Sequence, residues 1–89
     1  MNTYKIYPRA KVSLFKKTYQ TLEKVLGLKN GKEFIDVDGS GVKSYQYHGK
    51  DLFVILDVDY DAIIIRTELD ISSVIDSLGF VNKKEKVPV

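Results

Sequence analysis

Between residues 33 and 67 the chain carries four short β-prone runs, at 33–37, 42–47, 52–58 and 62–67, with only turn residues between them. The separators are Asp38-Gly39-Ser40-Gly41, His48-Gly49-Lys50-Asp51 and Asp59-Tyr60-Asp61. A parallel neighbour needs a crossover of about a dozen residues or more, so connections this short join antiparallel neighbours. The runs predict a four-stranded meander in which each strand pairs with the next.

On both sides of the meander the hydrophobic period changes from two to that of a helix. Val12, Phe15, Tyr19, Leu22 and Leu26 follow one another at spacings of 3, 4, 3 and 4, an apolar stripe that predicts a helix over 9–26. Pro8 suits its first turn, and Gly27 suits a left-handed stop with Leu28 folding back on the last turn. Ile71, Val74, Ile75 and Leu78 form a shorter stripe, predicting a second helix over 68–78. Thr67 or Asp70 is placed to cap it, and Gly79 with Phe80 to end it. The first six residues read as a short strand or an ordered arm. The expected class is α+β in the order α-ββββ-α, a four-stranded antiparallel meander flanked by two helices. The domain is expected to span residues 1–81, with 82–89 a flexible basic tail carrying Lys83, Lys84 and Lys86.

Eighty-nine residues make one domain. The absence of cysteine removes disulfides, thiolate metal sites and thiol nucleophiles, and fits a reducing compartment. The longest apolar runs, 52–56 and 62–65, are far shorter than a bilayer requires, and the N-terminus has no apolar stretch of signal-peptide length. A cytoplasmic protein without membrane contact is expected. Its Lys, Ile, Asp and Tyr usage suggests an AT-rich bacterial or phage genome. The net charge of +2 conceals a division along the chain. Residues 1–34 hold eight Lys/Arg and two acids, residues 35–79 three and nine, and residues 80–89 three and one. Where charge lies therefore matters more than its sum.

If each loop closes directly, Val37 faces Val42, Tyr47 faces Leu52 and Val58 faces Ala62. One sheet face then collects Phe34, Tyr45, Tyr47, Leu52, Val54, Leu56, Val58 and Ile64. The other collects Ile35, Val37, Val42, Phe53, Ile55, Ile63 and Ile65. Both are largely apolar, whereas a one-sided antiparallel sheet alternates apolar with polar. Helix 1 is long enough to cover one face; helix 2 is short. Two outcomes follow. Either the helices cover one face each and the monomer is self-sufficient, or Phe53, Ile55, Ile63 and Ile65 meet a protein partner or a second copy.

The string Asp36-Val37-Asp38-Gly39-Ser40-Gly41 resembles the opening of the EF-hand calcium loop. The resemblance implies Asp36, Asp38 and Ser40 as side-chain ligands, Gly41 as the sharp bend and the Val42 carbonyl as a further ligand. It covers six residues: Tyr47 stands where the bidentate Glu belongs, and the exit is β-prone rather than helical. The same residue types make a hairpin turn with Asx hydrogen bonds. Asp57, Asp59 and Asp61 fall at the same end of the meander, where clustered carboxylates suit a divalent cation, a basic partner or a solvated strand end.

His48 is the single histidine and lies in a turn. No nucleophile elbow, Cys dyad or phosphate-binding glycine loop accompanies it, so neither an enzyme nor a bound cofactor is expected. A nucleic-acid surface would draw on Arg9, Lys11, Lys16, Lys17 and Lys24 of the basic helix, with the tail lysines. The leading expectation is a non-enzymatic binding or regulatory module acting through a protein–protein surface, with homodimerisation in view. Nucleic-acid binding through helix 1 is the alternative and divalent-cation binding the third reading.

Overall fold

The computed structural model describes residues 1–78 and 85–86. Its elements are β1 (Asn2–Tyr7), α1 (Val12–Leu26), β2 (Lys32–Ile35), β3 (Gly41–Tyr47), β4 (Lys50–Asp57), β5 (Ala62–Thr67), α2 (Ser72–Ser77) and β6 (Glu85–Lys86). The expected α+β class holds, and β2 to β5 form the expected antiparallel meander. The sheet is larger than four strands: its order is β2-β3-β4-β5-β1-β6. β1 pairs antiparallel with β5 from Asn2↔Thr67 to Tyr7↔Ile63, with an irregularity between Lys5 and Tyr7. The two-residue β6 pairs with β1 on its other side. The Gly79–Phe80 helix stop and the basic tail lie outside the described residues, apart from Glu85 and Lys86.

The turns set the registers. Tyr47 pairs with Lys50 across His48 and Gly49, both at positive φ (52° and 76°), as a tight two-residue type I′ hairpin demands. The β4–β5 connection is one residue longer than the sequence suggests. Asp57 pairs with Ala62, leaving Val58 to Asp61 in the loop. The Asp57 carboxylate accepts the Tyr60 N–H at 2.9 Å, and Asp61 closes the turn at φ 55°. Asp tolerates this left-handed conformation better than a β-branched residue would.

That single residue inverts β5 relative to the direct-closure expectation, because side chains alternate faces along a strand. Leu52, Val54 and Leu56 stand opposite Thr67, Ile65 and Ile63, and all six are buried. Phe53 and Ile55 stand opposite Arg66 and Ile64. Ile63 and Ile65 therefore belong to the helix-covered core and not to the face of Phe53 and Ile55. β2 is inverted as well: Phe34 pairs with Val42 and Ile35 with Gly41, while Val37 lies in the turn.

Both helices pack on one face of this sheet. Phe15, Tyr19 and Leu22 of α1 join Tyr45, Leu52, Val54, Leu56, Ile63 and Ile65 in one core, which also takes Ile71 and Ile75 from the α2 region. Val12, the first member of the expected stripe, is 54% exposed, because α1 begins only there. Pro8 falls in the bend before the helix rather than in its first turn. Thr18, absent from the stripe, is fully buried, its hydroxyl satisfied by the Leu14 carbonyl at 2.7 Å. Gly27 ends α1 at φ 68°, and the Leu28 N–H bonds back to the Glu23 carbonyl at 3.1 Å, as expected.

Polar cross-links hold helices to sheet. Tyr45 of β3 donates to Glu23 of α1 at 2.6 Å, and Tyr19 of α1 donates to Glu33 of β2 at 3.0 Å. Burial first, and then the carboxylate each one bonds, push both phenols above their ordinary pKa, so both stay protonated donors. The Lys43 ammonium lies 4.8 Å from the centre of the Tyr19 ring. On the other side the Tyr4 hydroxyl lies 3.4 Å from both Asp70 and Ser72, and Asn2 donates to the Leu69 carbonyl at 2.8 Å. Asp70 also accepts the Ser72 N–H at 3.2 Å, which begins α2 four residues later than expected.

Three substitutions test this arrangement by chemical denaturation. Ile65→Ala opens the core and is expected to lower the unfolding free energy by about 2–5 kcal/mol, whereas Phe34→Ala is expected to change it by under about 0.5 kcal/mol. Tyr45→Phe is expected to lose about 1.5–3 kcal/mol through its charge-assisted bond to Glu23. Equal losses for Ile65→Ala and Phe34→Ala would contradict the register.

Candidate interaction surface

Because both helices share a face, the opposite face has no helix over it among the described residues. The registers align Phe34, Val42, Ile55 and Ile64 in one row across β2 to β5. The adjacent row runs Lys32, Ser44, Phe53 and Arg66. Exposure along the apolar row rises towards the sheet edge: Ile64 is 6% exposed, Val42 and Ile55 are half-buried, and Phe34 is 67% exposed. Phe53 is half-buried beside them. A shallow groove at one end of this face is lined by Lys32, Ser44, Gln46, Asp51 and Phe53. Gln46 and Asp51 hydrogen-bond to each other across the strands.

At the margin lies β2, all four residues of which are exposed. Phe34, Ile35 and Val37 stand out within four positions as large apolar side chains in solvent. Long exposed apolar edges template pairing with another chain, and proteins that do not use them shorten, charge or cover them. This edge is short and carries charge, but no described residue covers it.

The four residues expected at the partner surface thus divide. Phe53 and Ile55 lie on the open face; Ile63 and Ile65 are fully buried under the helices. Direct loop closure instead places Ile64 and Phe34 on the face of Leu52, Val54 and Leu56. The signal for Ile64 was Asp57-to-Asp61, whose Asx chemistry closes a four-residue loop rather than a three-residue one.

The basic candidates are scattered. Arg9 forms an ion pair with Asp61 at 3.2 Å. The same carboxylate accepts the Ala10 N–H at 2.8 Å, tying the β1–α1 connection to the β4–β5 loop. Lys11, Lys16, Lys17 and Lys24 are exposed. On α1, Lys17 and Lys24 lie opposite Phe15, Tyr19 and Leu22, and Lys16 lies on the flank of that buried face.

Asp36, Asp38 and Ser40 spend their polar groups within the β2–β3 turn. Asp36 accepts the Val37 N–H at 2.7 Å, and Asp38 accepts the Ser40 N–H at 2.9 Å and lies 3.4 Å from the Ser40 hydroxyl. This is the Asx alternative to a calcium loop. Among the described residues no three acidic or histidine side chains converge as a metal site. His48 stacks edge-on against Tyr47 at 4.2 Å in its hairpin turn. No helix among the described residues is long and apolar enough to cross a membrane. No protein-family model, curated protein or solved structure matches the chain.

The Asp61 tie makes a pH-dependent prediction. The Ala10 N–H, and then the Arg9 guanidinium, hold the Asp61 carboxyl below its ordinary pKa. A depressed carboxylate stabilises the fold fully above its unfolded pKa of about 3.9, and the contribution is lost as pH falls through the folded value. Asp61→Asn keeps the turn conformation and the hydrogen-bond acceptor but removes the charge. Its stability should fall below wild type at pH 7, and the gap should close in acid below the ordinary carboxylate range. A gap of constant size down to acid pH would show that the charge contributes nothing.

Proposed function

We propose that this chain is a non-enzymatic binding or regulatory module that acts in the cytoplasm through a protein–protein surface, formed by the open sheet face and the β2 edge. The observation that carries the reading is the apolar row Phe34, Val42, Ile55, Ile64, with Phe53 beside it, running from the core to an exposed edge strand. Interface cores are poor in charge and rich in aromatic residues, and their rims are polar. Lys32, Arg66, Asp51 and Gln46 flank the apolar row as such a rim would. Each large apolar side chain transferred from water contributes roughly 1.5–3 kcal/mol, so a partner that buries several of them is strongly favoured.

A second reading, nucleic-acid binding, is supported by one observation: Lys16, Lys17 and Lys24 are exposed on α1 with no ion pair to them among the described residues. Replacing the three with Glu should then abolish a salt-sensitive DNA or RNA affinity while the fold persists.

Photo-crosslinking separates the two. A photoreactive phenylalanine analogue at Phe34, in the cells that carry this chain, should form an adduct with a protein, and the adduct should weaken when Lys32→Asp is added. Adducts with nucleic acid alone, or no adduct, would overturn the protein-binding reading.

A further inference from the structure

We infer that the partner at the β2 edge is a second copy of this chain, with the two β2 strands paired antiparallel about a two-fold axis at Phe34. The inference rests on reading the open face and β2 edge as a protein-binding surface, and it names the occupant.

The backbone supplies the first condition. In an antiparallel ladder, alternate residues direct their N–H and C=O to opposite sides. The Asp36 N–H bonds the Ser40 carbonyl at 2.7 Å, so Asp36 points its backbone groups at β3. Phe34 and Lys32 then point inward as well. Glu33 and Ile35 present their N–H and C=O to the outside of the sheet, where a second strand would complete the ladder.

The side chains choose the register. A two-fold axis normal to the sheet keeps the open faces of both copies continuous and can be centred on Glu33, Phe34 or Ile35. Centring on Glu33 sets two carboxylates directly opposite each other, which is destabilising. Centring on Ile35 sets Phe34 against Asp36 and Glu33 against Val37, an apolar group against an acid in each pair. Centring on Phe34 sets Phe34 against its mate, Lys32 against the mate's Asp36, and Glu33 against the mate's Ile35 in the hydrogen-bonded position, so its acid–apolar pairs are offset by an aromatic pair on the axis and by two opposite-charge pairs that the Ile35 centre lacks between residues 33 and 37. The charged pairs then occur twice, once on each side of the axis, with opposite signs opposed. Phe34 meets its mate in the non-hydrogen-bonded position, where side chains approach most closely.

This register also continues the apolar row. Ile64, Ile55, Val42 and Phe34 of one copy run without interruption into Phe34, Val42, Ile55 and Ile64 of the other. Exposure along the row peaks at Phe34, the residue on the axis. The pairing uses the same edge of both copies and therefore closes at two, whereas head-to-tail pairing of unlike edges would propagate.

The test is the solution mass of the full chain by sedimentation equilibrium, from micromolar to millimolar concentration, with circular dichroism to verify folding. The wild type should approach twice its 10.1 kDa monomer mass as concentration rises. Lys32→Asp sets Asp against the mate's Asp36 and should shift the protein to monomer. Adding Asp36→Lys to it reverses both charges and should restore the dimer. Phe34→Asp, at an exposed position, should be a folded monomer. A wild type that stays monomeric at millimolar concentration would overturn the inference. So would a dimer indifferent to Lys32→Asp and Phe34→Asp, or a folded double variant that remains monomeric. A monomeric wild type whose Phe34 photoprobe captures a different protein would sink this inference alone; absence of any protein adduct at Phe34 would sink the underlying reading too.

Discussion

The pairing of Asp57 with Ala62 is the constraint on which the rest of the structure depends. β5 is apolar on both sides through Ala62, Ile63, Ile64 and Ile65, so its sequence alone does not say which side faces the helices. The turn decides. With four residues between the strands, Ile63 and Ile65 join Leu52, Val54 and Leu56 beneath α1, and Ile64 joins Ile55 on the other face. A turn shorter by one residue would exchange the two sets. The Asp57 bond from the Tyr60 N–H shapes this turn, and Asp61 within it anchors the entry to α1 through Ala10 and Arg9. One acidic loop thus fixes both the strand register and the approach of the main helix.

From that register follows the asymmetry of the molecule. α1 carries the chain from β1, next to β5, across the sheet to β2 at the far edge, and the Tyr45–Glu23 and Tyr19–Glu33 bonds pin it along the way. α2 is held to the same face by Tyr4 and by Ile71 and Ile75, which enter the same core. With both helices on one side, the other side keeps the apolar row that runs out to Phe34. The edge strand at the end of that row is short, so on its own it is a modest liability, but together with the row it offers a partner backbone hydrogen bonds and a hydrophobic face at once.

Much of the fold was legible in the sequence where local chemistry determines it. The stripe from Phe15 to Leu26, the glycine stop at Gly27 and the four meander strands needed only period and turn residues. β1 was harder: its pairing with β5 joins residues some sixty positions apart, with no turn between them to announce it. The placement of α2 was equally opaque, because it depends on Tyr4 and Asn2 in that distant strand. The candidate surface was half legible. Phe53 and Ile55 were found from alternation along β4, but Ile63 and Ile65 were misplaced by the loop length. Phe34 was assigned to the core because the β2–β3 turn begins at Asp36 rather than after Val37.

Amide hydrogen exchange along β2 addresses the central claim, that a second copy of the chain completes the sheet at this edge. Glu33 and Ile35 direct their N–H groups outward, where an unpaired edge strand exchanges freely with water. The account predicts that these two amides become protected as protein concentration rises, while neighbouring loop amides such as Val37 do not. Rapid exchange at Glu33 and Ile35 at every concentration, with the core amides of β4 and β5 fully protected, would contradict it.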